Sequence, residues 1–442
     1  MPSLTSPGSL AANALAAVAR QLTSGIVQLV TLVVIARVYG PEGSGIYAMA
    51  MLLPTLLVAF LNLGIGAANV YFLGSSQFGL YVVWRANIRL LLWISLVGVL
   101  FGISILTWFS DYLFAGVSPE LLVISLLNFP LLVCLSFVLS IFQGLQQFRN
   151  FNFILLLQAF ITLALVLLLA LLNGDRLDWL LFAYLLATLV TVSSAYRILA
   201  VQLRGDCDLA QVSRYSKAAL IYGYKAHLSN ILSFVNYKAD IFLVNFFIGP
   251  AAVGIYVIAI QIAERLWLLS QAVSTVLLPR LSQLAGDEVG RSRLTPFVSR
   301  WVLLVTAIAS VVLGIVSYPL ILFIFGPDYV QATWPLLLLL PGIVIGAASR
   351  ILANDLAARG RPDLNMYTSW VTVIINVGGN VLLIVPFGLA GAAIATSVAY
   401  TVNAIMRAVM YSRFTGSFMR HSFIVRSEDF QVLRKAIADL RS

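Results

Sequence analysis

Between residues 225 and 240, Lys225, Ser229, Ser233, Asn236 and Asp240 follow one another at steps of 4, 4, 3 and 4. On a helix those positions share one face. The face offers a cation, two hydroxyls, an amide and a carboxylate inside a largely apolar run. Lys225 can hold an anion, the hydroxyls and amide can bind a polyhydroxyl compound, and Asp240 can carry a proton or Na+. A second stripe lies near the N-terminus, where Arg20, Ser24, Gln28 and Thr31 step by 4, 4 and 3. Asn62, Asn69 and Gln271 add amides, and Lys238, Glu264 and Arg265 are further ionisable groups among apolar neighbours. No metal cluster, nucleophile triad, phosphate-binding loop or paired-carboxylate motif is present, and the histidines are His227 and His421 alone. Neither enzyme chemistry nor a bound metal or other cofactor is expected.

Two readings of the stripes compete. Small polar residues let membrane helices approach and hydrogen-bond, which is packing. A charge near the bilayer centre is costly and faces a partner or a wet path. Asp240 and Lys238 lie two steps apart, on nearly opposite faces, and Glu264 diverges from Arg265 by about 100°. Any salt bridge for either carboxylate must therefore form across helices. Asp240 and Glu264 are candidates for ion coupling or for a gate. Arg20 and Lys225 have the further option of reaching toward a membrane surface.

A membrane is what positions these residues. Hydrophobic residues make up 61% of the 442, charged residues 10%, and the mean hydropathy is +0.98. A soluble domain carries about a quarter charged residues, so a water-soluble globule is excluded. Long unbroken apolar runs such as Ile154–Leu172 match the roughly 20 residues of a spanning helix rather than barrel strands. Twelve spans are expected, among them Leu10–Val38, Ser44–Phe72, Pro119–Phe142, Ala218–Ile248 and Ala252–Leu278. With the N-terminus inside, most of the 27 Lys and Arg fall at cytoplasmic ends. Only Arg37 and Arg176 fall outside, while Arg20, Lys225, Lys238 and Arg265 lie within spans. Both termini are expected in the cytoplasm. Orientation accounts for the net charge of +10, so no nucleic-acid partner is implied. Cys134 and Cys207 suggest no disulfide framework, and "MPSLTSPGSL" lacks the basic start of a secretory signal.

The chain also repeats itself. "GPEGSGIYAMA" begins at Gly40 and "GPAAVGIYVIA" at Gly249, 209 positions on. Each copy is the turn between the first two helices of a six-helix half, with Pro tolerated in the first turn of the second helix. An even number of helices per half makes the repeat parallel. The expected domains are residues 1–207, residues 208–412, and a tail of residues 413–442. In the tail, "SEDFQVLRKAIADL" predicts a short amphipathic helix capped by Ser427.

Several stretches in order resemble one family. "ARVYGPEGSGIYAMAM" with "FLNLGIGAANVYF", "FQGLQQFRNFN", "YKADIFLVNFFIGPAAVGIYVIAIQIAE" with "LLPRLSQL", "FGPDYVQATWPLLLLLP" and "FGLAGAAIATSVAY" are similar to bacterial polysaccharide flippases. These are the oligosaccharide-lipid transporters related to MATE exporters. The resemblance implies an all-α protein of twelve transmembrane helices, in two pseudo-symmetric six-helix bundles around a central cavity in the bacterial inner membrane. It implies alternating access and a cargo of undecaprenyl-pyrophosphate-linked oligosaccharide, moved from the cytoplasmic to the outer leaflet. The lipid tail would stay in the membrane lipid. A polysaccharide polymerase and a chain-length regulator are the implied protein partners. Arg20, Lys225, Lys238 and Arg265 suit a pyrophosphate. Ser24, Gln28, Thr31, Asn62, Asn69, Ser229, Ser233, Asn236 and Gln271 suit sugars. A cationic-drug exporter would call for more acidic walls than four bases against two acids. A lipid II flippase commonly has two further helices, and a membrane polymerase would need a larger outer loop.

Overall fold

The computed structural model describes residues 7–172, 176–203, 209–284, 287–416, 423–424 and 429. Their side chains are described from Val18 onward, except at 225, 226, 229, 275, 276, 278, 279, 282, 283 and 362. Among these residues every regular element is helical. The chain runs α1 (Pro7–Leu61), α2 (Ile65–Gly74), α3 (Leu80–Leu113), α4 (Pro119–Leu126), α5 (Asn128–Gly144), α6 (Phe148–Leu171) and α7 (Leu177–Ala200). It continues with α8 (Leu209–Phe247), α9 (Pro250–Arg265), α10 (Trp267–Gln283), α11 (Glu288–Ile324), a 3-10 turn (Pro327–Ala332), α12 (Thr333–Ala358) and α13 (Pro362–Thr415).

Among the described residues, eight helices are long and apolar enough to cross a membrane, or nine when the bent pair α9–α10 counts as one span. The 55-residue α1 is broken at Gly40, and the 54-residue α13 at Gly388, where the backbone leaves helical values at positive φ. Each is long enough for two crossings at 1.5 Å per residue. Counting their arms separately, with α8, is consistent with twelve spans. Outward faces are apolar: Leu92, Trp93, Leu96, Leu100 and Phe101 on α3, and Ile308, Val311, Val312 and Ile315 on α11, are all exposed. A helical stripe of this kind, with no protein over it, is a lipid-facing surface. This is a multi-span membrane protein.

The chain gathers into two compact units. The first comprises Leu15–Ile258 with Phe323–Tyr329, and the second Met1–Ala14, Ala259–Leu322 and Val330–Ser442. In the first, Ile35, Val166 and Leu180 form a buried cluster joining α1, α6 and α7. In the second, Leu352, Leu356, Ala408 and Tyr411 lock α12 to α13. Lipid is as apolar as these side chains, so close packing and polar contacts hold such helices together rather than escape from water.

Three breaks were not foreseen. The expected span Ser44–Phe72 ends its first helix at Leu61 and restarts at Ile65, through Leu63 at φ 52° and Gly64 at φ 68°. The span Pro119–Phe142 is divided at Leu127. The span Ala252–Leu278 bends by 42° at Leu266. The last carries no proline or glycine at the bend, so nothing in its local sequence announces it. The tail helix proposed from Ser427 lies outside the described residues, apart from Asp429.

Candidate functional site

Local sequence explains how the N-terminal stripe is carried. On the N-terminal arm of α1, Ser24 and Thr31 are buried while Gln28 is exposed. Gln28 donates its amide proton to Ser24 Oγ at 3.2 Å, and Thr31 donates back to the Val27 carbonyl at 2.9 Å. Such back-bonding satisfies a hydroxyl within its own helix, so Thr31 makes a packing contact. Arg20 differs. It is half-buried, its guanidinium lies 5.9 Å from the Phe151 ring, and its Nε is buried without an acceptor.

The two asparagines have different fates. Asn62 sits in the break between α1 and α2, with its side-chain oxygen buried and unsatisfied. A buried polar atom without a partner is costly, so water or a ligand is expected there. Asn69 is fully buried, accepts a proton from the Tyr215 hydroxyl, and donates to Ser140 Oγ at 2.8 Å. It ties α2, α5 and α8 together, which is a structural use of a predicted site residue.

On α8 the side chains of Lys225 and Ser229 lie outside the described residues. Ser233 is exposed; Asn236 and Lys238 are partly exposed, and Asn236 keeps a buried oxygen without a partner. Asp240 is 2% exposed. One of its oxygens accepts the Ile241 N–H at 2.8 Å, and the other accepts the Tyr256 hydroxyl at 3.2 Å. The carboxylate thus anchors α8 to α9, and Tyr256 belongs to the second repeat copy.

In the second unit, Glu264 and Arg265 end α9 just before the bend, and Gln271 follows on α10, all partly exposed. Arg265 donates to the Gln261 side-chain oxygen at 3.3 Å, while its Nε is buried without an acceptor.

Several residues with clear roles went unread in the sequence. Arg37, placed only as a loop base, donates to the carbonyls of Ile324, at 2.9 Å, and Phe323. It neutralises the negative end of α11. The Tyr329 hydroxyl donates to the Ala36 carbonyl at 3.2 Å and lies 2.9 Å from Ser44 Oγ. Arg350 and Trp267 on α12 and α10 meet in a cation–π contact, with the guanidinium carbon 5.1 Å from the indole ring centroid. Arg407 donates to Ser349 Oγ at 2.8 Å and to Thr368 Oγ1 at 3.2 Å. Such pairs join residues up to 293 positions apart, and no sequence spacing signals them.

Among the described residues no group of His, Cys, Asp and Glu could hold a metal ion.

The family model described as polysaccharide biosynthesis protein matches residues 10–285. Two curated proteins of Haloferax volcanii are similar. The probable low-salt glycan biosynthesis flippase Agl15 is 26% identical over 224 residues, 49% of this chain and 44% of that protein. The probable flippase AglR is 28% identical over 201 residues, 45% of this chain and 41% of that protein. The chain thus spans less than half the length of these relatives. Among solved structures, lipid II flippase MurJ in an inward closed conformation superposes with a TM-score of 0.71 at 16% identity, over 88% of this chain and 86% of that one. An inward-facing multidrug resistance MATE family transporter gives 0.67 at 15% identity, over 89% and 94%. These likenesses show the MATE-related fold.

Proposed function

Because the chain belongs to the polysaccharide biosynthesis protein family, we propose that it is a flippase for a lipid-linked oligosaccharide. Its cargo is an undecaprenyl-pyrophosphate-linked oligosaccharide, turned from the cytoplasmic to the outer leaflet of a bacterial inner membrane. Alternating access proceeds between six-helix halves, residues 1–207 and 208–412, with both termini and the tail in the cytoplasm. The product is handed to a polysaccharide polymerase working with a chain-length regulator.

One observation carries this reading. Arg20 and Arg265 each hold a buried Nε without a protein acceptor inside apolar helices. Planar, permanently charged guanidinium groups match phosphate oxygens in pairs. In the first unit Arg20, Lys225 and Lys238, and in the second Arg265, are assigned to phosphate charge along the path. Ser24, Gln28, Asn62, Ser229, Ser233, Asn236 and Gln271 are assigned to sugar hydroxyls. Thr31 and Asn69, whose hydrogen bonds are internal, support these residues rather than contact sugar. Asp240 and Glu264 are the carboxylates for coupling to a proton or Na+, or for gating.

The test is made on lipid extracts from cells lacking the gene, with the side of the membrane determined. Accumulation of undecaprenyl-linked repeat units on the cytoplasmic face, reversed by the wild-type gene, is the expected result. Normal distribution of those lipids with intact surface polysaccharide overturns the cargo.

A further inference from the structure

Arg350 lies eight residues before the end of α12, about 12 Å along the helix axis, within the apolar span 327–358. The sequence places it among loop-flanking bases, but the helix continues past it. Its guanidinium rests on the face of Trp267, 5.1 Å from the ring centroid. That indole is itself fixed. It is 6% exposed, its Nε1 donates to the Ile343 carbonyl at 3.0 Å, and the Tyr400 ring lies 5.2 Å away. One turn before Arg350, Gly346 lies beside the indole, where a β-carbon would make ordinary van der Waals contact at 3.4 Å.

Other arginines of this unit form ion pairs: Arg300 with Asp429, Arg359 with Asp355 and Glu288, and Arg291 with Glu288. Arg350 takes part in no hydrogen bond or ion pair among the described residues. A cation–π contact satisfies the charge in part and uses none of the N–H donors. A guanidinium held over a ring, with no hydrogen-bond acceptor among the described residues and inside a membrane helix, is arranged for an incoming anion rather than for a structural partner.

The geometry points to Arg350 as a further phosphate-binding residue, with Trp267 as its positioning residue, at the bend that also carries Arg265. This assignment rests on the proposed cargo. It names a contact to the anionic phosphate group rather than to the sugar.

The experiment measures equilibrium binding of two probes to the purified full chain: undecaprenyl pyrophosphate, and undecaprenol, which lacks the phosphates. The wild type is expected to prefer the pyrophosphate. Arg350→Gln is expected to weaken pyrophosphate binding about tenfold, the scale of one charge-assisted contact, with undecaprenol binding unchanged. Arg350→Lys, which keeps charge but not the fork, should fall between. Trp267→Phe, which retains a ring face, should lose less than Trp267→Leu. An Arg350→Gln protein with wild-type preference overturns the assignment and leaves the cargo reading intact. Equal loss of both probes marks Arg350 as a packing residue and also overturns it. A wild type without preference for the pyrophosphate sinks the cargo reading, and this assignment with it.

Discussion

Gly45 and Pro250 are in backbone contact: a β-carbon on Gly45 would stand 1.8 Å from the Pro250 carbonyl oxygen. Gly254 meets the Pro41 carbonyl in the same way, at 2.0 Å. Pro41 and Pro250 are matched positions of the 209-residue repeat, and so are Gly45 and Gly254. Each copy therefore lends a carbonyl to the other copy's glycine, which is the logic of a two-fold, self-complementary interface. Both turns enter through a glycine at positive φ, Gly40 at 65° and Gly249 at 117°.

This reciprocity makes a specific prediction. Gly45→Ala and Gly254→Ala should each cost about 1–3 kcal/mol through overpacking, read as a lowered unfolding temperature in detergent. Gly79→Ala, where φ is −69° and no atom lies within 4 Å, should be neutral. The double variant should lose less than the sum, since both changes force the same two segments apart.

Tyr215 and Asn69 form a buried polar chain ending on Ser140. Tyr215→Phe leaves the Asn69 oxygen without a donor and should cost about 1–3 kcal/mol. Tyr222→Phe, on the same helix and half-exposed, should change thermal stability far less.

Asp240 separates stability from transport. Asp240→Asn is expected to fold normally, because an amide oxygen still accepts from Tyr256, yet to abolish ion dependence of flipping in reconstituted vesicles. Asp240→Leu removes the acceptor and should cost about 1–3 kcal/mol. An Asp240→Asn protein that flips lipid with unchanged ion dependence removes Asp240 from the coupling candidates.

Arg300 on α11 holds Asp429 of the tail through paired hydrogen bonds, one of 2.6 Å, with both side chains buried. Asp429→Ala should cost about 3–5 kcal/mol, because it leaves a buried cation unpaired. Replacing both partners by Met and Leu should restore most of that loss, as measured by thermal unfolding.

The sequence was most legible where one solvent dictates the pattern. Length of apolar run, outward stripes such as Leu92–Leu96–Leu100, and the proline after each repeat glycine follow from local rules. Breaks were less legible: Leu63 and Leu266 look like any other apolar residue, and a neighbouring glycine, Gly64, marks only the first. The polar stripes were half legible. Their helical spacing was plain, but Asn62 and Asn69, alike in type and seven residues apart, differ in that only Asn69 found side-chain partners.

Apolar run length and residue order suffice to specify a polytopic helical membrane protein, an internal repeat and a family, because both are properties of the chain alone. Tertiary structure decided which polar groups are satisfied and which stay open. Asp240 is tied to Tyr256, Asn69 to Tyr215, and Arg350 lies over the Trp267 ring. A hydrogen bond or ring contact depends on separations of a few ångströms, and between distant residues those are set only when the helices pack.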